Sequence, residues 1–316
     1  MRRPELQVVG LVTQPDRPVG RGRALSPCPC KAFALENGIT EIIAPENVND
    51  PAALARIRAW QPDVIAVVAF GQFLKKALLE LPLFGCINCH FSLLPKYRGA
   101  SPVVAALAAG DRVTGVTVMK MGLGMDDGPI LMQKYEPIYS DATGGELMES
   151  LAIAGGVALA KTLVLLGNNS LPPPVEQVHA DATYASKLKK TDGLIDWTAP
   201  VLVTERKIRA YSPWPGCYTF LPARFRKRGN TGRVIVTKAV IASALEPAWR
   251  AAAPGTVLKL IASRPKGESG PLGPIVKCGD TAILLAELKP EGGSVMNGAE
   301  FLRGRPLEIG DQLLNA

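Results

Sequence analysis

Apolar positions along this chain follow two alternating rhythms. Short apolar runs at 8–12, 64–69, 86–90 and 115–121 read as strands, the third of them bounded by Pro82 and Pro95. Between them lie stretches with helical spacing: 30–37, ended by Gly38; 51–60, with Pro51 at its first turn; 73–81; 102–109; and 146–166. A further run at 130–138 is placed to return antiparallel to 115–121. Strands and helices in alternation predict an α/β sheet covered by helices on both faces.

Residues 167–174, Gly-Asn-Asn-Ser-Leu-Pro-Pro-Pro, break every regular pattern and read as a linker. Beyond a helical stretch at 200–210, strand-like runs at 217–220, 234–241, 255–261, 274–277 and 282–288 are separated by turn residues. They predict a small β domain. The expected boundaries are 1–166 for the α/β domain, 167–180 for the linker and 181–316 for the second domain.

Composition refines this picture in three ways. At 316 residues the chain is long for a single core, in keeping with two domains. Aromatics are only 6%, so the cores must rest on Leu, Val, Ile and Ala. The net charge of +8 is unevenly spread. The first domain is near neutral. The stretch from Arg206 to Lys238 carries Arg206, Lys207, Arg209, Arg224, Arg226, Lys227, Arg228, Arg233 and Lys238 and no acid. Such asymmetry suits a polyanion partner, although a solvated basic face would look the same.

Six cysteines without a secretory leader are expected to be free thiols of a cytoplasmic protein. Cys86 and Cys89 match C-x-x-C, but strand alternation puts them on opposite faces, so no metal site is expected. The apolar run 151–166 is interrupted by Lys161 and rich in Ala and Gly. It reads as a buried helix of a domain rather than a membrane span.

The candidate chemistry gathers at the end of the 86–90 run. Alternation points Asn88 and His90 to the same side, an amide donor beside a titratable base. The turn-forming stretch Met121-Gly-Leu-Gly-Met-Asp126-Asp127-Gly128 can return a carboxylate to the same place. Amide, imidazole and carboxylate are the parts of an acyl-transfer centre. The same His90 would also suit a structural role, and Asp127 suits a turn cap. The Gly122-x-Gly124 pattern lacks the spacing of a dinucleotide loop, and its carboxylates would repel phosphate.

The motifs Asn88-x-His90-x-Ser92-Leu93-Leu94-Pro95, Arg98-Gly99-Ala100, Pro102, Gly115-Val-Thr117 and Gly124-Met-Asp126-Asp-Gly128 resemble the folate-dependent formyltransferase family. The early loop Thr13-Gln-Pro-Asp16-Arg17-Pro-Val-Gly20-Arg21-Gly22 resembles that of the branch acting on initiator tRNA. Asp196-Trp197, the Arg209–Pro215 segment and Pro254-Gly255-Thr256 continue the resemblance over nearly the whole chain. It implies a Rossmann-like formyltransferase domain followed by an OB-like β-barrel domain.

It also implies a reaction: transfer of a formyl group from 10-formyltetrahydrofolate to the α-amine of methionine carried by initiator methionyl-tRNA, with no metal. Asn88, His90 and Asp126 would be catalytic. Ser92, Leu93, Leu94 and Pro95 would line the folate pocket, and Phe70 would either add a wall or belong to the core. Arg17, Arg21 and Arg23 would meet the tRNA acceptor stem, and the protein would act as a monomer. Two alternatives share much of this sequence: a formyltransferase for a small metabolite, and an inactive tRNA-binding relic. The family pattern opens with a strand, a Gly-Thr-Pro turn and a helix that have no counterpart before 8–12. The first domain is therefore expected to be incomplete at its start, and unstable for that reason.

Overall fold

The computed structural model describes residues 4–19, 24–226, 229, 231–242, 246–263, 265 and 268–314. Packing divides the chain into two units. One comprises residues up to Gly99, Gly115–Glu136 and Leu151–Tyr184; the other Ala100–Thr114, Pro137–Ser150 and everything from Ala185 on.

The first unit is built on a four-stranded sheet in the order Ile65–Val67, Cys86–His90, Val113–Lys120, Ile130–Pro137. Ile65–Val67 runs parallel to Cys86–His90, with Val67 opposite Asn88. Val113–Lys120 runs antiparallel to it, with His90 opposite Thr117. The hairpin at 130–138 is antiparallel as expected: Lys120 N donates to Pro129 O at one end and Ile138 N to Arg112 O at the other.

The expected strand at 8–12 is shorter, Leu11–Val12, and it stands outside this sheet. It pairs in parallel with Ile42–Ile43 alone. A strand extends only as far as a neighbour can take its N–H and C=O groups. Leu11 and Thr13 donate to Glu41 and Ile43, whereas Val8, beyond that reach, is 63% exposed. A second small sheet pairs Arg17–Val19 with Ala24–Ser26.

The long helix spans Gly144–Gly167. Leu151, Ala154, Ala158 and Thr162 recur at helical spacing and are buried. Gly155 lets the helix lie close to the sheet: a Cβ there would stand 2.9 Å from Cys89 Sγ and 3.0 Å from the Phe91 ring. The opposite side is apolar too, with Ile153 and Val157 exposed. The helix is long and apolar enough to cross a membrane, yet one face of it packs on the sheet. The expectation of a buried helix therefore holds for that face only.

The second unit holds a six-stranded antiparallel sheet. Its path runs Cys217–Phe220, Arg233–Ile241, Ala282–Pro290, Gly273–Lys277, Val257–Ile261, with Met296–Asn297 added to Ala282–Pro290. One face packs on Trp197, Ile208, Phe301 and Leu313, the other on Trp249. Trp197 satisfies its indole N–H by donating to Thr219 Oγ1 at 3.1 Å. The path is open: no strand pairing closes it into a barrel among the described residues. The tail touches both ends, through bridges of Leu314 to Phe220 and Gln312 to Thr256.

Candidate active site

The strand Cys86–His90 positions the site. Its odd and even residues face opposite ways. Cys89 is buried beneath Gly155, and Cys86 donates to Leu78 O within the helix-covered core. Burial pushes the thiol of Cys86 up to about 12 and that of Cys89 to about 11, so both are inert thiols. Among the described residues, no group of three His, Cys, Asp or Glu could hold a metal ion.

Asn88 and His90 meet Asp126, which returns on the turn after Val113–Lys120. His90 Nδ1 lies 3.6 Å from Asp126 Oδ2, and Asn88 Nδ2 lies 3.5 Å from Asp126 Oδ1. The other ring nitrogen, Nε2, is 2.9 Å from Tyr97 O. Both ring nitrogens of His90 therefore face acceptors. A neutral imidazole can donate to one of them, an imidazolium to both. His90 is only 6% exposed, so its partners are these protein groups rather than bulk water.

Asp126 is itself held. Gly99 N donates to its Oδ2 at 2.8 Å. Its backbone is left-handed, with φ of 49°, a conformation that costs a non-glycine residue of order 1 kcal/mol and needs support from its surroundings. That support comes from Gln177. Its side-chain amide donates to Asp126 O at 2.9 Å and to Gly128 O at 2.7 Å. The Gln177 carbonyl in turn accepts from Arg98 Nη2 at 2.8 Å and Nε at 3.2 Å. Arg98 Nη2 also reaches His179 Nδ1 at 3.2 Å. Gln177 lies in the segment expected to be a structureless linker, and nothing in its sequence neighbourhood signals this role. Asp127 instead curls over its own turn: a Cβ on Gly124 would stand 2.0 Å from its Oδ2.

The Ser92–Pro95 segment is fixed from below. Thr117 Oγ1 donates to Ser92 O at 2.7 Å and accepts from Leu94 N at 3.1 Å. Gln133 Nε2 donates to Leu94 O at 2.9 Å. Ser92 is fully buried, its hydroxyl donating to Lys96 O at 2.6 Å, and Leu94 is buried too. Leu93 and Pro95 are partly accessible. Phe70 packs against the core cluster of Val48, Leu74 and Leu78, and its carbonyl accepts from Gln14 at 2.6 Å.

The basic residues are spread between free and engaged. Arg17 donates to Glu46 at 2.8 Å on an exposed surface. Arg21 and Arg23 lie outside the described residues, as do Lys227 and Arg228. Arg209 is paired with Glu205, and Arg224 with Asp311. Arg233 stacks 4.3 Å over the Tyr218 ring, and Arg226 5.8 Å over Phe220. Lys238 is exposed.

Two family models match the sequence: formyl transferase over residues 2–163, and the formyl transferase C-terminal domain over residues 187–306. A methionyl-tRNA formyltransferase of Chloroflexus aggregans is 42% identical over 299 residues, 94% of this chain and 89% of that one. Another, of Magnetococcus marinus, is 36% identical over 97% of this chain and 90% of that one. HypX from Aquifex aeolicus, solved in complex with tetrahydrofolic acid, has a TM-score of 0.57 at 17% identity. The match covers 88% of this chain and 47% of that longer one. The sugar 3N-formyl transferase WlaRD, solved with dTDP and 5-N-formyl-THF, has a TM-score of 0.53 at 19% identity, over 80% of this chain and 79% of that one. These two structures are alike in fold.

Proposed function

Because the chain belongs to the formyl transferase family, with both family domains matched, we propose that Asn88, His90 and Asp126 form its acyl-transfer centre. The protein is a transferase of protein biosynthesis that formylates methionyl-tRNA. The finer reading takes 10-formyltetrahydrofolate as the donor and the α-amine of methionine on initiator tRNA as the acceptor.

The surroundings of the centre suit a folate. Val68, 46% exposed, continues the strand beside Asn88, and Leu123 and Met125, 63% and 55% exposed, precede Asp126 in the turn. With Leu93 and Pro95 they are accessible apolar side chains close in sequence to the polar centre, the kind of surface a flat heterocycle needs. The family's pattern brings Ser92 and Leu94 in as the frame of this surface. When bound, the folate supplies an activated formyl group. The amine nitrogen forms the new bond to the formyl carbon, the bond to the folate nitrogen breaks, and one proton passes from the amine to that nitrogen.

The chain's residues serve this exchange in three ways. Asn88 donates its amide to the formyl oxygen as negative charge grows there; one such donor contributes roughly 3–4 kcal/mol in comparable sites. His90 takes or holds the amine proton. Asp126 orients the ring and stabilises its charged form.

On the tRNA side, Arg17, Arg21 and Arg23 of the early loop meet the acceptor stem, and the exposed part of the basic second domain meets the phosphate backbone. The second domain is read as OB-like because its tail bridges both ends of the sheet path, through Leu314 and Gln312. We take the working form to be a cytoplasmic monomer, as the family resemblance implies.

The observation that carries the proposal is the doubly accepting environment of His90 beside the Asn88 amide. Single-turnover formylation of charged tRNA tests it. His90→Ala and Asn88→Ala should each slow transfer about a hundredfold or more with the fold intact. Near-normal turnover in either variant overturns that residue's role.

A further inference from the structure

We propose that Gln177 is a positioning residue: it sets the turn that holds Asp126 against His90. The inference rests on the reading of His90 and Asp126 as the proton-handling pair.

Three observations carry it. Gln177 is 5% exposed and uses every polar atom of its side chain. Its amide reaches the carbonyls on both sides of Asp127, those of Asp126 and Gly128, so it fixes the turn where the backbone is left-handed. Its carbonyl is clamped by a forked pair of donors from buried Arg98. The orientation of this amide is thereby determined: two carbonyls require the nitrogen on one side, and a guanidinium requires the oxygen on the other.

Arg98 lies next to Gly99, whose N–H holds the Asp126 carboxylate. One connected network thus fixes both the backbone and the side chain of Asp126. The groups facing His90 are the Asp126 carboxylate and the Tyr97 carbonyl; Arg98 and His179 stand behind Gln177.

The segment bearing Gln177 is tied down on both flanks. Val175 and Ile130 exchange backbone hydrogen bonds, as donor and acceptor in turn. Further on, Arg98 N donates to Thr183 O and Tyr97 N to Thr183 Oγ1. Residues 175–183 therefore form a strap over the 95–98 and 126–130 loops.

Glutamate at 177 is the sharpest probe. Gln177→Glu keeps size and the Arg98 contact but turns a donor pair into an oxygen facing two carbonyls. Gln177→Met, of similar length and neutral, carries the same expectation if the glutamate variant does not fold, as judged by its thermal melt. Each is made in the natural background and in Asp126→Asn, and transfer is followed in steady-state assays with charged tRNA and formylated folate, each varied in turn.

Gln177→Glu should lower kcat about tenfold or more with KM for both substrates within about twofold. In the Asp126→Asn background it should change kcat by less than about twofold, because its effect passes through the carboxylate. Equal losses in both backgrounds would mean a general structural role and overturn the inference, as would unchanged kcat in the natural background. Full activity of Asp126→Asn alone would instead sink the acid–base reading on which the inference stands.

Discussion

His90 Nδ1 and Asp126 Oδ2 stand 3.6 Å apart, close enough for strong charge interaction and too far for a well-formed hydrogen bond. In the proposed mechanism this is the contact that orients the His90 ring. Catalytic hydrogen bonds often tighten only once substrate is bound. Asp126→Asn keeps the shape and the Gly99 contact but removes the carboxylate charge that faces His90 Nδ1. Turnover should fall by about a hundredfold or more, with KM for tRNA little changed. A loss in KM alone would place Asp126 in substrate binding rather than in proton handling.

Gly155 and Gly156 are neighbours on one helix with opposite expectations. Gly155→Val drives a side chain into Cys89 Sγ and the Phe91 ring, and should cost about 1–3 kcal/mol as an overpacked contact. A Cβ on Gly156 meets nothing within 4 Å, so Gly156→Ala should stabilise by up to about 1 kcal/mol through helix propensity. Thermal melts of the two variants should move in opposite directions. Because Cys89 shares its strand with Asn88 and His90, Gly155→Val should also lower turnover.

The Arg224–Asp311 pair gives the second unit an acid limit. The hydrogen bond from Arg224 holds the Asp311 carboxyl below its ordinary range. A depressed folded-state value stabilises the protein above the unfolded carboxyl value, about 3.9, and that contribution is lost as pH falls through the folded value. Asp311→Asn should therefore lower the melting temperature at pH 7 and have little effect near pH 2. Equal destabilisation at both pH values would assign the pair a packing role instead.

Thiol chemistry separates the cysteines. Cys30 is exposed and Cys28 partly so, whereas Cys86, Cys89, Cys217 and Cys278 are buried, and burial pushes the thiols of Cys217 and Cys278 up to about 12. A maleimide should label Cys30 and Cys28 in the native protein and the other four only after unfolding. Fast native labelling of Cys89 would mean that the helix over it opens readily.

For tRNA, affinity should drop steeply with salt, as phosphate contacts release counterions. Arg21→Ala should raise KM for tRNA while leaving folate affinity unchanged. Arg17→Ala should have a smaller effect, because Glu46 already shares that guanidinium. A salt-independent dissociation constant would exclude backbone recognition.

Much of the site could be read from the sequence because it depends on local periodicity. Alternation along one short strand was enough to put Asn88 and His90 together and Cys89 behind them. Glycines around Asp126 announced the turn that brings it back. The remainder depends on partners distant in the chain. Gln177 stands three residues after a proline run that reads as structureless, and its acceptors lie around 126–128.

The strand at 8–12 is apolar at four of its five positions but extends only where Ile42–Ile43 lies alongside. The stretch from Arg206 to Lys238 contains no acid, yet Arg224 is neutralised by Asp311, 87 positions away, and Arg209 by Glu205, just before the stretch begins. Ser92, placed by its motif beside a ligand, is fully buried in the frame of its own loop.

The strap at 175–183 also bears on how this chain can be taken apart. The two family matches end at 163 and resume at 187, and the interval invites a cut or a fusion joint anywhere between them. A joint at 168–173 leaves the strap on the fragment carrying the second family match, and a joint after Thr183 leaves it with the loops it ties down. Chimeras that exchange the second domain should keep residues 175–183 of the host, or inherit a foreign brace on the host's own turn. The interval is thus at once a hinge in the gene and a fixture in the protein.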